Sequence, residues 1–263
     1  MKIALLQTDI EWSDTSTNIR QANALLTSSE PADLYVLPEM WNTGFLVDKA
    51  DILPYMSGGG PAAAISWMKQ TANRLNAALC GSLSLSDGSN QVNRFLFVTP
   101  EGNTYHYDKR HLFTMGHEDE SYTCGHQRVV VCFRGVRFLL ATCYDLRFPV
   151  WLRNQNDYDV LLLVANWPQG RQHVWETLLR ARAIENQCYV VGVNRIGSDP
   201  FCQYVGGSCV IDARGHQIVS AASTDQPSIV SVGISLHDLV NFRRKFPVLA
   251  DADSFTLCNE INT

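Results

Sequence analysis

The feature that most constrains the fold is an alternation of short apolar segments with segments of helical periodicity along the 263-residue chain. Residues 2–7, 33–37 and 159–165 are almost entirely apolar, as expected of strands buried on both faces. Residues 17–26 carry apolar side chains at helical spacing, and another helix is predicted at about 172–186. This alternation predicts an α/β protein whose sheets are covered by helices.

Turn signals between further predicted strands indicate that the sheets are mixed rather than purely parallel. Residues 99–103 form one such turn, and Arg134-Gly135 forms another. No linker-like or low-complexity segment interrupts the sequence, so we expect one domain over residues 1–263 with an extended tail from about residue 242. Additional strands are predicted at 79–85, 92–98, 104–108, 128–133, 136–142, 188–194, 205–211, 216–222 and 228–234, and a last short helix at 235–241.

The charge distribution gives no sign of a polyanionic partner. The formal net charge is −5 and 18% of the residues are charged, without a basic block or an acidic run. This pattern argues against nucleic acid or an anionic membrane surface as partner. No apolar run approaches the roughly 20 residues needed to span a membrane. A small diffusible ligand or another protein remains.

The cysteines predict a reducing compartment. Eight are present, none of them in a C-x-x-C pair, so a structural zinc site is not expected. Cys80, Cys132, Cys188 and Cys209 lie in apolar runs, where a reduced cysteine behaves as a small core hydrophobe. The N-terminal residues also lack a signal-peptide pattern. We therefore expect a cytoplasmic protein.

Cys143 is the most informative candidate for chemistry. An apolar strand ends at this cysteine, and a polar segment containing Arg147 follows at once. A nucleophile at the carboxyl end of a strand is exposed at the sheet edge, beside backbone N–H groups that bind anions. A helix start at this point would also lower the pKa of the thiol. The alternative is a buried core cysteine, and position alone does not decide between the two.

Three other positions also have two explanations, one functional and one structural. Glu39 follows Pro38 at the end of a predicted strand, Lys109 lies in a cationic segment after a hairpin strand, and Trp167 follows another buried strand. Taken singly, Glu39 and Lys109 are better explained as solvated surface charges. A packing position explains Trp167 as well as a place in a pocket wall does. Glu118, in a polar loop, indicates nothing alone.

Taken together, these segments resemble the nitrilase superfamily of carbon–nitrogen hydrolases, which use a Glu–Lys–Cys triad in this order. The matching motifs are Leu37-Pro38-Glu39, the segment from Tyr107 to Phe113, Cys143-Tyr-Asp-Leu-Arg-Phe-Pro149, and Glu118 seven residues before Gly125. The resemblance extends from Ile3 to about Val232. Within the superfamily, these motifs and Arg244-Lys-Phe-Pro247 resemble bacterial omega-amidases. One departure is Cys124, where a small residue or proline is expected.

The resemblance implies a four-layer α-β-β-α sandwich with two mixed sheets, dimerised through its helices. It also implies hydrolysis of the ω-amide of 2-oxo dicarboxylic acid monoamides, such as α-ketoglutaramate and α-ketosuccinamate. Cys143 would be the nucleophile and Glu39, partly buried, the general base. Lys109 and the backbone N–H of Tyr144 would stabilise the oxyanion, and Glu118 would orient Lys109. Neither a metal nor another cofactor is expected.

We assign the rest of the substrate pocket from the residue types that such a substrate requires. Trp41, Phe113 and Trp167 are expected to line it, and Arg171 is the candidate for binding the 2-oxo acid end. A solvent-facing position at the helix start explains Arg171 equally well.

Several alternatives remain open from the sequence. A nitrilase, a carbamoyl-amine hydrolase or another aliphatic amidase would use the same triad, so the triad does not identify the substrate. A non-catalytic scaffold would not need all of the triad residues, yet all are present. A metal-binding regulator is disfavoured by the scattered cysteines and histidines.

Overall fold

Two six-stranded mixed sheets organise the computed structural model, which describes residues 1–221 and 226–257. The strands are β1 (Lys2–Gln7), β2 (Leu34–Val36), β3 (Ala78–Ser86), β4 (Gln91–Val98), β5 (Thr104–Asp108), β6 (Val130–Phe133), β7 (Val136–Thr142), β8 (Val160–Ala165), β9 (Tyr189–Asn194), β10 (Ile196–Ser198), β11 (Gln203–Val205), β12 (Cys209–Ile211), β13 (Gln217–Ser220) and β14 (Ser228–Gly233). The helices are α1 (Thr15–Ser28), α2 (Lys49–Ser57), α3 (Gly60–Leu75), α4 (Pro149–Leu152), α5 (Gln172–Asn186) and α6 (Leu236–Lys245).

The two sheets repeat one arrangement. The first has the order β14-β1-β2-β3-β4-β5, and the second has the order β13-β12-β9-β8-β7-β6. In each, three parallel strands form the centre, β1–β2–β3 and β7–β8–β9, and antiparallel strands flank them. The central strands are covered on both faces, which explains why β8 is apolar at every position.

The sheets pack face to face, with helices outside. Phe97 of the first sheet contacts Phe138 of the second, with 5.8 Å between ring centroids. One core lies between the sheets and continues to Trp175 and Leu179 of α5, and a second core joins the first sheet to α1 and α3. The predicted four-layer α-β-β-α arrangement is confirmed. Because one core joins the two sheets, we infer a single domain.

The structure differs from the predicted elements in several places. Helices α2 and α4 and strand β10 were not predicted, and α2 contains Pro54. The strand predicted at 205–211 is two strands, β11 and β12, because Gly206 and Gly207 have φ angles of 74° and 79° between them. The tail predicted as extended from about residue 242 instead begins inside α6 and includes a 3-10 turn at Val248–Asp251. Residues 258–263 of that tail, and residue 222 of the strand predicted at 216–222, lie outside the described residues.

The cysteines lie as predicted with one exception. All seven within the described ranges are free, and Cys80, Cys188 and Cys209 are buried. Cys132 is exposed, so its predicted core position was wrong. It lies on the edge strand β6, where exposed and buried residues alternate. Cys258 is outside the described residues. Within residues 1–221 and 226–257, every helix is too short or too polar to cross a membrane.

The core between the sheets gives a first prediction. Leu161 of β8 is fully buried in that core, so Leu161→Ala should lower the free energy of unfolding by about 2–5 kcal/mol through lost contacts and a cavity. Leu53→Ala is the control, because Leu53 is 64% exposed and its truncation should change stability by less than about 0.5 kcal/mol. Urea unfolding of both variants measures the difference, and equal losses would contradict this packing.

Candidate active site

Two predicted site residues lie at strand ends where the backbone turns sharply. Glu39 follows β2 and Cys143 follows β7. Cys143 has a φ of 45°, and Met40, directly after Glu39, has a φ of 41°. Positive φ is unfavourable for side chains other than glycine and costs on the order of 1–3 kcal/mol. These turns direct the carboxylate and the thiol out of their strands toward the same space.

A buried ammonium group joins two carboxylates beside the thiol. Lys109 Nζ donates hydrogen bonds to Glu39 Oε1 at 2.9 Å and to Glu118 Oε2 at 2.8 Å. All three side chains are at most 1% exposed. The Cys143 sulfur lies 4.0 Å from the Asn166 carbonyl oxygen, and Glu39 and Lys109 act in opposite directions on the pKa of its thiol. The structure therefore brings together the four residues that the sequence identified as catalytic candidates.

Two asparagines complete this network, and neither was assigned a role from the sequence. Asn93 Nδ2 donates to Glu39 Oε1 at 2.9 Å and to Glu118 Oε1 at 3.0 Å. The backbone N–H of Asn166 donates to Glu39 Oε2 at 2.8 Å, and its side chain donates to the Glu39 carbonyl oxygen. Both carboxylate oxygens of Glu39 therefore accept hydrogen bonds that fix their positions. The only sequence signal for Asn93 was its position between polar and apolar residues in a predicted strand, next to Arg94.

The Glu118 loop closes onto the Lys109 segment at Gly125. The Gly125 N–H donates to the Lys109 carbonyl oxygen at 2.9 Å. A Cβ at position 125 would lie 2.1 Å from the Asp108 carbonyl oxygen, so any side chain would force the segments apart. This contact explains why a glycine follows Glu118 at that spacing. The unexpected Cys124 is only partly buried and leaves the contact intact.

The pKa values of the buried groups agree with the expected charge on Lys109 but not with the expectation for the Cys143 thiol. Burial lowers the pKa of Lys109, but Glu118 and Glu39 outweigh that effect and raise it, so the ammonium stays charged. Burial, together with Glu39, raises the pKa of the Cys143 thiol well above its ordinary value. The predicted lowering of this pKa by a helix start was therefore wrong. The resting thiol is protonated at neutral pH and needs a base.

Asp145 ties the Cys143 turn to the Lys109 segment. Its buried carboxylate accepts hydrogen bonds from the Thr142 N–H at 2.9 Å and the Tyr107 hydroxyl at 2.7 Å. It also accepts from the His111 backbone N–H at 3.1 Å, and His111 Nδ1 lies 2.8 Å away. Because Tyr107 and His111 flank Lys109, this carboxylate fixes the Cys143 turn relative to the Lys109 segment.

A pocket of about 460 Å³, including its open mouth, leads to Cys143 and Lys109. Phe113, Tyr144, Trp167 and Arg171 line it as predicted. Trp41 was predicted to line it as well, and this prediction is corrected. Trp41 is 1% exposed and packs on Trp67 in the core toward α1 and α3, because the turn after Glu39 directs it away.

The sequence reasoning missed other pocket residues. Arg147 follows the Cys143 turn, and Cys202 and Tyr204 belong to the β10–β11 hairpin. Nothing in the spacing of this hairpin indicated that it would reach the site. Within the described ranges, no group of three or more His, Cys, Asp or Glu side chains is arranged to hold a metal ion.

The cluster of Glu39, Lys109, Glu118 and Cys143 and the sandwich fold together define the class of protein. The carbon-nitrogen hydrolase family matches residues 2–244, and the chain belongs to that family. The family predicted from the sequence is confirmed.

Individual relatives share nearly the full length of the chain. Omega-amidase YafV of Escherichia coli is 45% identical over 98% of both chains. The 2-oxoglutaramate amidase of Bacillus subtilis is 35% identical over 95% of this chain and 96% of that protein. Among solved structures, XC1258 from Xanthomonas campestris, a CN-hydrolase superfamily protein with an arsenic adduct in its active site, is 40% identical. It has a TM-score of 0.91 over 98% of this chain and 99% of that chain.

The thiol environment gives a second prediction. Since Glu39 contributes to the raised pKa of Cys143, Glu39→Gln should shift thiolate formation to lower pH by removing a negative charge. The measurement is the ultraviolet absorbance of the thiolate against pH, with the Cys143→Ala spectrum subtracted. Glu101→Gln, at an exposed position, is the control and should leave the midpoint unchanged. A midpoint that rises or stays constant in Glu39→Gln would show that the carboxylate does not act on this thiol.

Proposed function

We propose that the protein hydrolyses the ω-amide of 2-oxo dicarboxylic acid monoamides, such as α-ketoglutaramate and α-ketosuccinamate, to the 2-oxo acid and ammonia. The carrying observation is the Glu39 carboxylate, which accepts a hydrogen bond from the Lys109 ammonium and raises the pKa of the Cys143 thiol. The activities in the names of the Escherichia coli and Bacillus subtilis relatives support this substrate class. The reaction would proceed through a cysteine thioester.

In the acylation step, the Cys143 sulfur attacks the amide carbonyl carbon while Glu39 takes the thiol proton. This transfer is required because the resting thiol is protonated, as its raised pKa indicates. The oxyanion forms next to the Lys109 ammonium and the Tyr144 backbone N–H, which stabilise it. The carbon–nitrogen bond then breaks, and Glu39 returns its proton to the departing nitrogen, which leaves as ammonia.

In the deacylation step, water attacks the thioester carbonyl and Glu39 accepts a proton from it. The same oxyanion donors act again. The carbon–sulfur bond breaks, the sulfur regains the proton from Glu39, and the carboxylic acid is released. Glu118 holds Lys109 in place throughout, because it accepts two hydrogen bonds from its ammonium. The charge on Lys109 supplies the stabilisation in both steps.

Two further expectations from the sequence are retained as proposals. The seven free cysteines support a reducing, cytoplasmic environment, and a secreted form with these cysteines in disulfides would contradict it. The homodimer rests on the family resemblance, and a monomer in sedimentation velocity would contradict it.

A substrate panel tests the activity. Wild-type protein should release ammonia from α-ketoglutaramate faster than from glutamine or a simple aliphatic nitrile, and Cys143→Ala should release none while folding normally. Cys132→Ala is the control because Cys132 is also a free cysteine but lies on the exposed face of β6. Normal turnover by Cys143→Ala would refute the nucleophile. A wild-type preference for the nitrile or for a carbamoyl amine would replace the proposed substrate class.

Lys109→Met tests the oxyanion site. We expect kcat to fall by about 10²–10³-fold, since one oxyanion donor is lost. The free energy of unfolding should also fall by about 3–5 kcal/mol, because Glu39 and Glu118 remain buried without their cation. Lys69→Met, at an exposed position of α3, should change neither quantity appreciably. An unchanged kcat in folded Lys109→Met would remove Lys109 from the reaction.

A further inference from the structure

Two guanidinium groups in the pocket wall have no hydrogen-bond or carboxylate partner among residues 1–221 and 226–257. They belong to Arg147, after the Cys143 turn, and Arg171, which caps the start of α5. By contrast, the partly buried guanidinium groups of Arg94, Arg137 and Arg243 bond carboxylates at 2.6, 2.7 and 3.0 Å. Since unpaired, partly buried guanidinium groups are unfavourable in a folded protein, their position in a pocket indicates a ligand.

Aromatic rings hold both groups in place. Arg147 Cζ lies 5.2 Å from the ring centroid of Trp167, and Arg171 Cζ lies 5.2 Å from that of Phe113. The Trp167 Nε1–H donates to the Arg171 carbonyl oxygen at 2.8 Å, which fixes the two residues relative to each other. A guanidinium stacked on a ring keeps its N–H groups free at the edge of its plane.

Neighbouring acidic groups do not neutralise these arginines. Asp199, in the hairpin that forms one wall of the pocket, accepts hydrogen bonds from the Phe201 and Cys202 backbone N–H groups and from the Tyr204 hydroxyl. Glu39 and Glu118 are bound to Lys109. The inner end of the pocket therefore has two carboxylates around one ammonium, whereas its wall carries two free cations.

We propose that Arg147 and Arg171 together bind the carboxylate of the substrate and make the enzyme selective for anionic over neutral amides. The proposal rests on the proposed function, whose substrates carry a carboxylate at the end opposite the amide. A planar guanidinium matches a carboxylate in a bidentate geometry. With the carboxylate at the arginines, the amide end extends toward Cys143, so the same contacts select and orient the substrate.

Paired substrates separate charge recognition from chemistry. The first substrate is α-ketoglutaramate, and the second is 4-oxopentanamide, in which a methyl group replaces the carboxylate and the rest is unchanged. For Arg147→Gln and Arg171→Gln, kcat/KM for α-ketoglutaramate should fall by about 10- to 100-fold, mainly through KM. For 4-oxopentanamide, kcat/KM should change by less than about threefold in the same variants. If the two arginines had only a structural role, both substrates would lose rate equally. Arg244→Gln, on the exposed face of α6, is the matched control.

The outcomes distinguish this proposal from the proposed function. If wild type hydrolyses α-ketoglutaramate but both substrates lose rate equally in the arginine variants, the carboxylate subsite is refuted and the amidase activity stands. If wild type does not hydrolyse α-ketoglutaramate at all, the proposed function fails first. Calorimetric affinity for α-ketoglutaramate in a Cys143→Ala background decides the question when 4-oxopentanamide reacts too slowly. Unchanged affinity after Arg147→Gln and Arg171→Gln would then overturn the proposal.

Discussion

The rest of the site depends on one buried ammonium group held between two carboxylates. Lys109 is bound by Glu39 and Glu118, and Asn93 bonds both carboxylates from the other side. Burying three charges is expensive, and such a group adds little stability over an apolar core of equal volume. Its benefit is a fixed geometry. Each of the three buried charges is tolerated only while the others stay in contact with it. The arrangement is therefore best understood as a functional constraint on the fold.

The backbone around this network is strained in the places that the chemistry needs. Met40 and Cys143 have positive φ angles at the ends of β2 and β7, which belong to different sheets. The face-to-face packing of the sheets brings these two ends together. Asp145 then holds the Cys143 turn to the residues that flank Lys109, so the strained turn is fixed by four contacts to one buried carboxylate. Strain of this kind persists only where the surroundings determine it fully.

The sequence was sufficient for the central strands and for the family. Continuous apolar runs in β1, β7 and β8 predict buried strands whatever surrounds them, and the motifs around Glu39, Lys109 and Cys143 carry the family resemblance. The direction in which a side chain points after a turn was harder to predict. Trp41 follows Glu39 by two residues yet points into the opposite core, because the positive φ of Met40 turns the chain between them.

Other features could not be predicted because they depend on contacts between distant segments. Asn93 is one of three polar residues within β4, and only the packing of that strand against the Lys109 segment shows that it faces the site. The β10–β11 hairpin reaches the pocket through a chain path that no local pattern specifies. Helix α2 was missed since Pro54 breaks the local pattern, although tertiary contacts of Ile52 and Tyr55 stabilise it.

The distribution of charge along the pocket explains how one site can serve both selection and chemistry. Burial and the neighbouring carboxylates raise the pKa of the thiol, so the sulfur stays protonated until an electrophile is in place, which limits unwanted reactions of a thiolate. The carboxylates also repel an anionic group that enters in the wrong orientation. In the binding mode that we propose, the guanidinium groups of Arg147 and Arg171 attract that group at the wall instead. A monoamide with one carboxylate would then have a single favourable orientation, with its neutral amide next to Cys143 and Lys109.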